Sequence, residues 1–343
     1  MSEIIFFLPE EDEAFARFPK TIAQYWAWQS SASGLAQFWG RYHWVLQTYL
    51  YLSEAGLPVR LSNRLPPAGV IVTHLDCVPY DFRPNSRQTL VILLVDRETP
   101  HPHAHLHVTH NPVQGLPYGL AHWYMPPWPQ IGLIPRAADR GQRFERIGYF
   151  GYGNNLEAAF MSAEFLASIA ELDLELCIPA PTEWHDFSGI DAVIAVRKFG
   201  RADPFLNKPS LKLFNAWLAD VPAVLGYETA YRHDGQVGVG YLEATTPDEL
   251  LAALRTLKLD VARRQALVAH GRQAVQDFTP PRTVARWRQL IDQTILPLHS
   301  RYSAGGVRRW IKAVTGSALE QVLWRQPGNF RQRAPHEPPE PNP

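Results

Sequence analysis

The stretch Asn207-Lys-Pro-Ser-Leu-Lys-Leu-Phe-Asn-Ala-Trp-Leu-Ala-Asp-Val-Pro-Ala-Val224 decides how the chain is to be read. Pro209 and Ser210 suit a helix start, with Ser210 as the N-cap. Leu213, Phe214, Trp217 and Leu218 then recur at helical spacing, so one face of the helix is buried. The helix stops at Asp220, and Pro222 leads into a short apolar strand. A helix that runs straight into a buried strand is half of a β-α-β unit, and such units build parallel sheets.

The same alternation extends outward from that point. Arg146–Phe150 predicts a strand, Gly151-Tyr152-Gly153 a turn, and a helix follows with Leu156, Phe160, Ala163, Ala167 and Ala170 on its apolar face. Further strands are expected at Leu174–Ile178, Ala192–Val196 and Pro222–Leu225, with one more near Gly238–Leu242. Helices are expected at about 210–219, 247–258, 260–276 and 281–295. In the first half, strands are predicted at Ile4–Leu8, Pro58–Leu61, Gly69–Thr73, Thr89–Val95 and Ala104–Thr109. Residues 9–40 read as a long loop with short helical pieces. Tyr42–Ala55 reads as a helix ended by Gly56. Pro112, Pro117, Pro126, Pro127, Pro129 and Pro135 leave no room for a regular element across 111–140. The expected organisation is an N-terminal domain at 1–125, a linker at 126–145, a C-terminal domain at 146–297, a helix at 298–325 that returns toward the first domain, and a disordered tail at 326–343. The fold class is α/β, with two Rossmann-like domains facing across a cleft.

Composition narrows the function. The 343 residues carry 33 Lys+Arg and 33 Asp+Glu, a formal net charge of zero. A dedicated nucleic-acid binder normally has a basic excess. Cys77 and Cys177 stand alone without CxxC spacing, which fits two core thiols in a reducing compartment. The first residues place acids directly after a short apolar run, the reverse of a signal peptide. No stretch reaches the length of a membrane span. The expected location is cytoplasmic.

Charge at the helix start is the most informative chemistry. A helix N-terminus offers unpaired N–H groups and positive potential, which suits a diphosphate. Lys208 and Lys212 flank that end. A lysine in the first turn opposes the helix dipole unless an anion binds there; the alternative is a solvated lysine pair. Arg197 and Lys198 follow the strand at 192–196, on the edge where open α/β sheets bind ligands. Gly151 and Gly153 end the first strand of this half and let backbone approach a ligand. Glu228 follows the strand at 222–225 and could meet sugar hydroxyls.

KPSLKLFNAWLADVPAV (208–224) resembles the donor-site helix of the retaining GT-B glycosyltransferases. LEATTPDELLAALRTLKLD (242–260) and LVAHGRQAVQDFT (267–279) resemble that family's closing segment. The resemblance covers about residues 146–295, while the first half matches in architecture alone. It implies a metal-independent transfer of a sugar from a nucleotide-diphospho-sugar, used as co-substrate, to a hydroxyl of a saccharide or lipid-linked acceptor. No cofactor is implied. Two departures stand out. Asn207 and Asn215 occupy the family's two acid positions, and Asp220 stands where the family has glycine. An asparagine can hold ribose hydroxyls, but it does not stabilise developing positive charge as a carboxylate does. A nucleotide-sugar epimerase of the same fold and a non-catalytic nucleotide- or sugar-binding protein are the alternative readings.

In such enzymes the N-terminal domain binds the acceptor. His74 and Asp76, after the strand at 69–73, are the candidate base and its orienting carboxylate. His103, His105 and His107 would share one face of a strand, which raises a metal reading. No acid is interleaved with them, and no metal site is expected. Arg308, Arg309, Trp310 and Lys312 on the segment 304–324 could lie on an anionic membrane surface, giving peripheral association at the inner membrane face. A helix that crosses back to the first domain is the preferred reading.

Overall fold

The protein is described here from a computed structural model, which covers residues 3–30, 40–305 and 307–324. The chain divides into two units: Met1–His110, Gly115–Met125 and Val284–Pro343 form the first, and Asn111–Gln114 with Pro126–Thr283 form the second.

The first unit starts with β1 (Ile4–Phe7), whose four apolar residues are all buried. Two short helices, α1 (Asp12–Ala16) and α2 (Ile22–Ser30), occupy the stretch that reads as loop. A π-type turn at Tyr42–Leu46 runs into α3 (Gln47–Glu54). Gly56 follows at φ 74°, the left-handed stop that glycine permits. Then come β2 (Val59–Ser62), β3 (Gly69–His74), β4 (Gln88–Leu94), β5 (Leu106–Thr109) and β6 (His122–Tyr124). β3, β4 and β5 are buried along their whole length, as strands covered on both faces must be. The strands pair in parallel in the order β2-β1-β3-β4-β5-β6. β6 corrects the reading of 111–140 as wholly irregular. Three residues fit between Pro117 and Pro126, and they sit at the sheet edge, where proline-rich flanks are tolerated.

The second unit contains β7 (Arg146–Gly148), α4 (Ala163–Ala170), β8 (Glu175–Cys177), β9 (Ala192–Ala195), α5 (Leu211–Leu218), β10 (Ala223–Leu225), α6 (Thr229–Asp234), β11 (Leu242–Glu243), α7 (Pro247–Leu259) and α8 (Val261–Ala274). Its parallel order is β11-β10-β9-β7-β8. In each sheet the first strand lies between the second and the third. Leu213, Phe214, Ala216 and Trp217 of α5 are buried in this core, and the Trp217 indole donates to Gly240 O at 2.9 Å. Each such large side chain contributes about 1.5–3 kcal/mol on burial. Gly271 of α8 is glycine because a Cβ there would stand 2.5 Å from the Trp217 ring.

The helix after β7 differs from its sequence reading. Two 3-10 turns, Gly153–Asn155 and Ala158–Met161, precede α4, which Ser162 caps by accepting from Phe165 N at 3.1 Å. The buried face of α4 is Phe165 and Ile169, not the alanines. Residues 126–145 belong to the second unit instead of standing between two domains. Arg136 and Arg140 anchor them on the fully buried Asp191 carboxylate, with Arg136 Nη2 at 2.9 Å and Arg140 Nη2 at 2.6 Å. Burial pushes the Asp191 carboxyl up, but Arg140 and the N–H groups of Glu145 and Arg146 together hold it below its ordinary value.

Three helices return to the first unit: α9 (Pro280–Leu290), α10 (Leu296–Ser303) and α11 (Val307–Trp324). The unit border at Val284 falls inside α9, so residues 284–297 leave the unit expected from sequence. Trp287 packs edge-on against Phe6 at 6.3 Å, and His299 bonds Thr89 at 2.9 Å. On α11, Leu319 and Leu323 are buried while Val314 is exposed. The side chains of Arg308, Arg309 and Trp310 lie outside the described residues, as does the segment 326–343. Among the described residues, no helix is long and apolar enough to cross a membrane.

Candidate functional site

In open parallel sheets, ligands bind beyond the carboxyl ends of the strands where the strand order reverses. In the second unit that reversal lies between β7 and β9. The chain after β7 is Tyr149-Phe150-Gly151, and after β9 it is Val196-Arg197-Lys198. The N-terminus of α5 and the residues after β10 complete the edge.

Lys212, in the first turn of α5, ties these pieces together. Its Nζ donates to Phe150 O at 2.5 Å and sits 5.0 Å from the centre of the Tyr149 ring. Gly151 makes that approach possible: a Cβ there would lie 2.8 Å from Lys212 Nζ and 2.8 Å from the Tyr149 hydroxyl. That glycine serves the lysine and the tyrosine. Gly153 has open space around it. Burial pushes the Tyr149 phenol up to about 12, so it remains a donor, to Tyr152 O at 3.2 Å.

Beside it lies a buried ion pair. Arg197 Nε donates to Glu228 Oε1 at 3.1 Å, and Glu228 is 1% exposed. Its second oxygen, Oε2, is buried without a hydrogen-bond partner among the described residues. Burial pushes the Glu228 carboxyl up, against the pull of Arg197, Lys212 and Lys208. Three cations thus act on one carboxylate that is only half satisfied. Lys198, the neighbour of Arg197, points to solvent as an exposed residue.

Ser210 departs from its expected role. Its hydroxyl donates to Asp234 Oδ2 at 2.5 Å and makes no capping bond to α5. The N–H groups of that first turn are therefore not taken by the Ser210 side chain. Asn207 and Lys208 ride on a tight turn closed by Lys208 N to Phe205 O at 3.0 Å. Asn111 holds this turn: its Nδ2 donates to Phe205 O at 3.2 Å and to Thr229 Oγ1 at 2.9 Å. Ninety-four residues separate Asn111 from Phe205, and nothing in the sequence links them. Asn215 is buried, and its Oδ1 accepts from Gln130 N at 3.0 Å. Asp220 keeps the left-handed backbone that glycine would favour, with φ 59°, and its carboxylate forms a two-point pair with Arg272 at 2.6 and 3.0 Å.

In the first unit, His74 and Asp76 do stand together after β3, with His74 Nδ1 3.7 Å from Asp76 Oδ2. Their bonds lead elsewhere. His74 Nδ1 accepts from Asp76 N at 3.2 Å, and Nε2 meets Val95 O at 3.3 Å. The ring is buried, and burial lowers its proton affinity. Both nitrogens are spent on the backbone, which is how a histidine holds a turn. Asp76 pairs with the Arg97 guanidinium, Nε at 2.9 Å. The histidines at 103, 105 and 107 diverge because β5 begins only at Leu106. His103 bonds Glu320, His105 Nδ1 accepts from Leu90 N, and His107 meets Ala121 O. Among the described residues, no group of three or more His, Cys, Asp or Glu is placed to hold a metal. Cys77 is buried and Cys177 half-buried, and both are free.

No family model matches the chain, and no curated protein matches it by sequence. Solved structures do match it. HepE of Anabaena, crystallised with UDP and glucose, aligns with 85% of this chain and 100% of its own at 12% identity and a TM-score of 0.51. TarM of S. aureus aligns with 71% of this chain and 58% of its own at 7% identity and a TM-score of 0.50. The two parallel α/β units are those of the GT-B glycosyltransferase fold.

Proposed function

We propose that the chain is a hexosyltransferase that moves a sugar from a nucleoside-diphosphate sugar to a hydroxyl acceptor without a divalent metal. The observation that carries the reading is the cationic edge of the second unit, where Arg197, Lys208 and Lys212 act on the half-satisfied Glu228 beside the α5 N-terminus. Transfer breaks the bond from the anomeric carbon to the diphosphate oxygen and forms one to the acceptor oxygen, whose proton leaves with the nucleoside diphosphate or to solvent. Negative charge then grows on the departing diphosphate, and fixed cations with oriented N–H groups stabilise it without reorganising. Glu228 Oε2 would accept from a donor-sugar hydroxyl. Asn207 and the amide group of Asn215 would meet the ribose. A saccharide or lipid-linked hydroxyl is the acceptor class. The two asparagines favour a second reading, a nucleotide-sugar binder without turnover; release of nucleotide from a UDP-sugar supports the transferase over it.

UDP is the nucleotide named with HepE and is the first to test. Titrations of Lys212→Ala with UDP and with uridine separate phosphate recognition from base recognition. One charge-assisted bond is worth roughly 1.5–3 kcal/mol, so UDP affinity should fall about tenfold or more. Uridine affinity should hold. Equal UDP affinity in variant and parent would move the diphosphate away from α5.

A further inference from the structure

Within the first unit, a cavity of about 110 Å³ opens beside the N-terminal ends of β4 and β5. Arg83, Asn85, His105, Tyr302, Lys312 and Ser317 are among its lining residues. Parallel sheets bind their substrates at the other ends of the strands, so this cavity is not part of the transfer chemistry. A single water needs about 10–15 Å³ of such space. The cavity therefore admits a small polyatomic ion.

Its lining is cationic, and only part of that charge is answered. Glu320 Oε2 accepts from Arg83 Nη2 at 2.9 Å and meets His103 Nε2 at 2.8 Å. Lys312 is half-buried, and its ammonium has no hydrogen-bond or ion-pair partner among the described residues. Burial holds that ammonium down to about 8. His105 Nδ1 accepts from Leu90 N at 3.1 Å, which leaves the ring proton on Nε2 as a donor. With the imidazoles neutral, Arg83 and Lys312 against Glu320 leave one positive charge over. A cation withdrawn from water without a counter-ion is costly until an anion answers it. The helix that brings it there is held close. A Cβ on Gly316 of α11 would stand 2.5 Å from His103 Nδ1.

We propose that this cavity binds a single phosphate group through Lys312 Nζ and His105 Nε2–H, with Arg83 at its mouth. Bound phosphate bridges α11 to the loops before β4 and β5 and so fastens the C-terminal helix to the sheet. The ion comes from solution or from the headgroup of an anionic lipid. The chemistry is shared, and the site stands independently of the transferase reading.

The test uses the full chain. Potassium phosphate, at constant ionic strength against chloride, should raise the Tm saturably and slow amide exchange across 312–320. Lys312→Met should lose at least tenfold in phosphate affinity while its Tm in chloride equals or exceeds that of the parent. UDP titrations of the two should agree within twofold. His105→Phe, which keeps the volume and removes the donor, should weaken phosphate as well and keeps the test open if Lys312→Met does not fold. Co-sedimentation with phosphatidic acid vesicles, against phosphatidylcholine, separates the sources. Lipid binding that Lys312→Met abolishes assigns the headgroup, and phosphate binding without it assigns the free ion. Phosphate that protects Lys312→Met as well as the parent, or neither phosphate nor vesicle binding in the parent, overturns the proposal.

Discussion

The two sheets share one strand order, with the first strand between the second and third, yet they place opposite chemistry at their carboxyl ends. The second unit offers fixed charge there: Arg197, Lys208 and Lys212 around a buried carboxylate. The first unit offers buried imidazole beside a half-exposed Asp76–Arg97 pair. His74 is locked to the backbone, and His110 is buried against Trp44 at 4.2 Å with neither ring nitrogen hydrogen-bonded among the described residues. The contrast shows that a shared topology does not fix the chemistry at the strand ends; under the proposed transferase reading, the permanent charge of the second unit would meet the diphosphate.

That contrast breaks most visibly in acid. Burial lowers His43 and His101 to about 4, and His105, His107 and His110 to about 3. All five lie in the first unit. Their folded values lie below the unfolded 6.5, so the unfolded chain binds more protons there and stability falls as pH drops below 6.5. Each histidine costs about 1.4 kcal/mol per pH unit in that window. Five of them would consume a typical stability of about 5–15 kcal/mol. Asp191 behaves otherwise: its contribution is fully present above 3.8 and is lost only below it, as pH falls through the lower folded value. Hydrogen exchange followed from pH 7 to pH 4 should find the first unit opening before the second. Simultaneous opening would erase the distinction.

A pair of arginine deletions sharpens the same comparison. Arg197→Ala strands the buried Glu228 and should cost about 3 kcal/mol. Adding Glu228→Gln should recover much of it. Arg97→Ala removes the partner of Asp76, whose side chain is 38% exposed, so the loss should stay under about 1 kcal/mol. Urea unfolding of the three variants measures both numbers; equal losses would mean that burial does not distinguish the pairs.

The smallest expected effect concerns Asp220. Asp220→Gly relieves a left-handed backbone worth about 1–2 kcal/mol and gives up an exposed pair with Arg272 worth about 0–1 kcal/mol. The two nearly cancel, and the Tm should rise only slightly. A clear fall would make the Arg272 pair the main support of that helix end.

The sequence by itself determined the alternation of strands and helices, the class of fold and the helix that begins near Ser210. These rest on local periodicity, which a one-dimensional string carries. The place of Lys212 in the first turn of that helix, where a lysine opposes the dipole, was legible too. Phase was harder: alanines fit the helical period after β7 as well as Phe165 and Ile169 do, and only packing chose between them. Partners were not legible at all. Ser210 turned from cap to Asp234, His74 turned to Val95 O, and Asn111 reached Phe205 and Thr229 from far along the chain. The tertiary structure decided these because a polar side chain bonds whatever the fold sets within about 3 Å, and sequence separation does not constrain that distance.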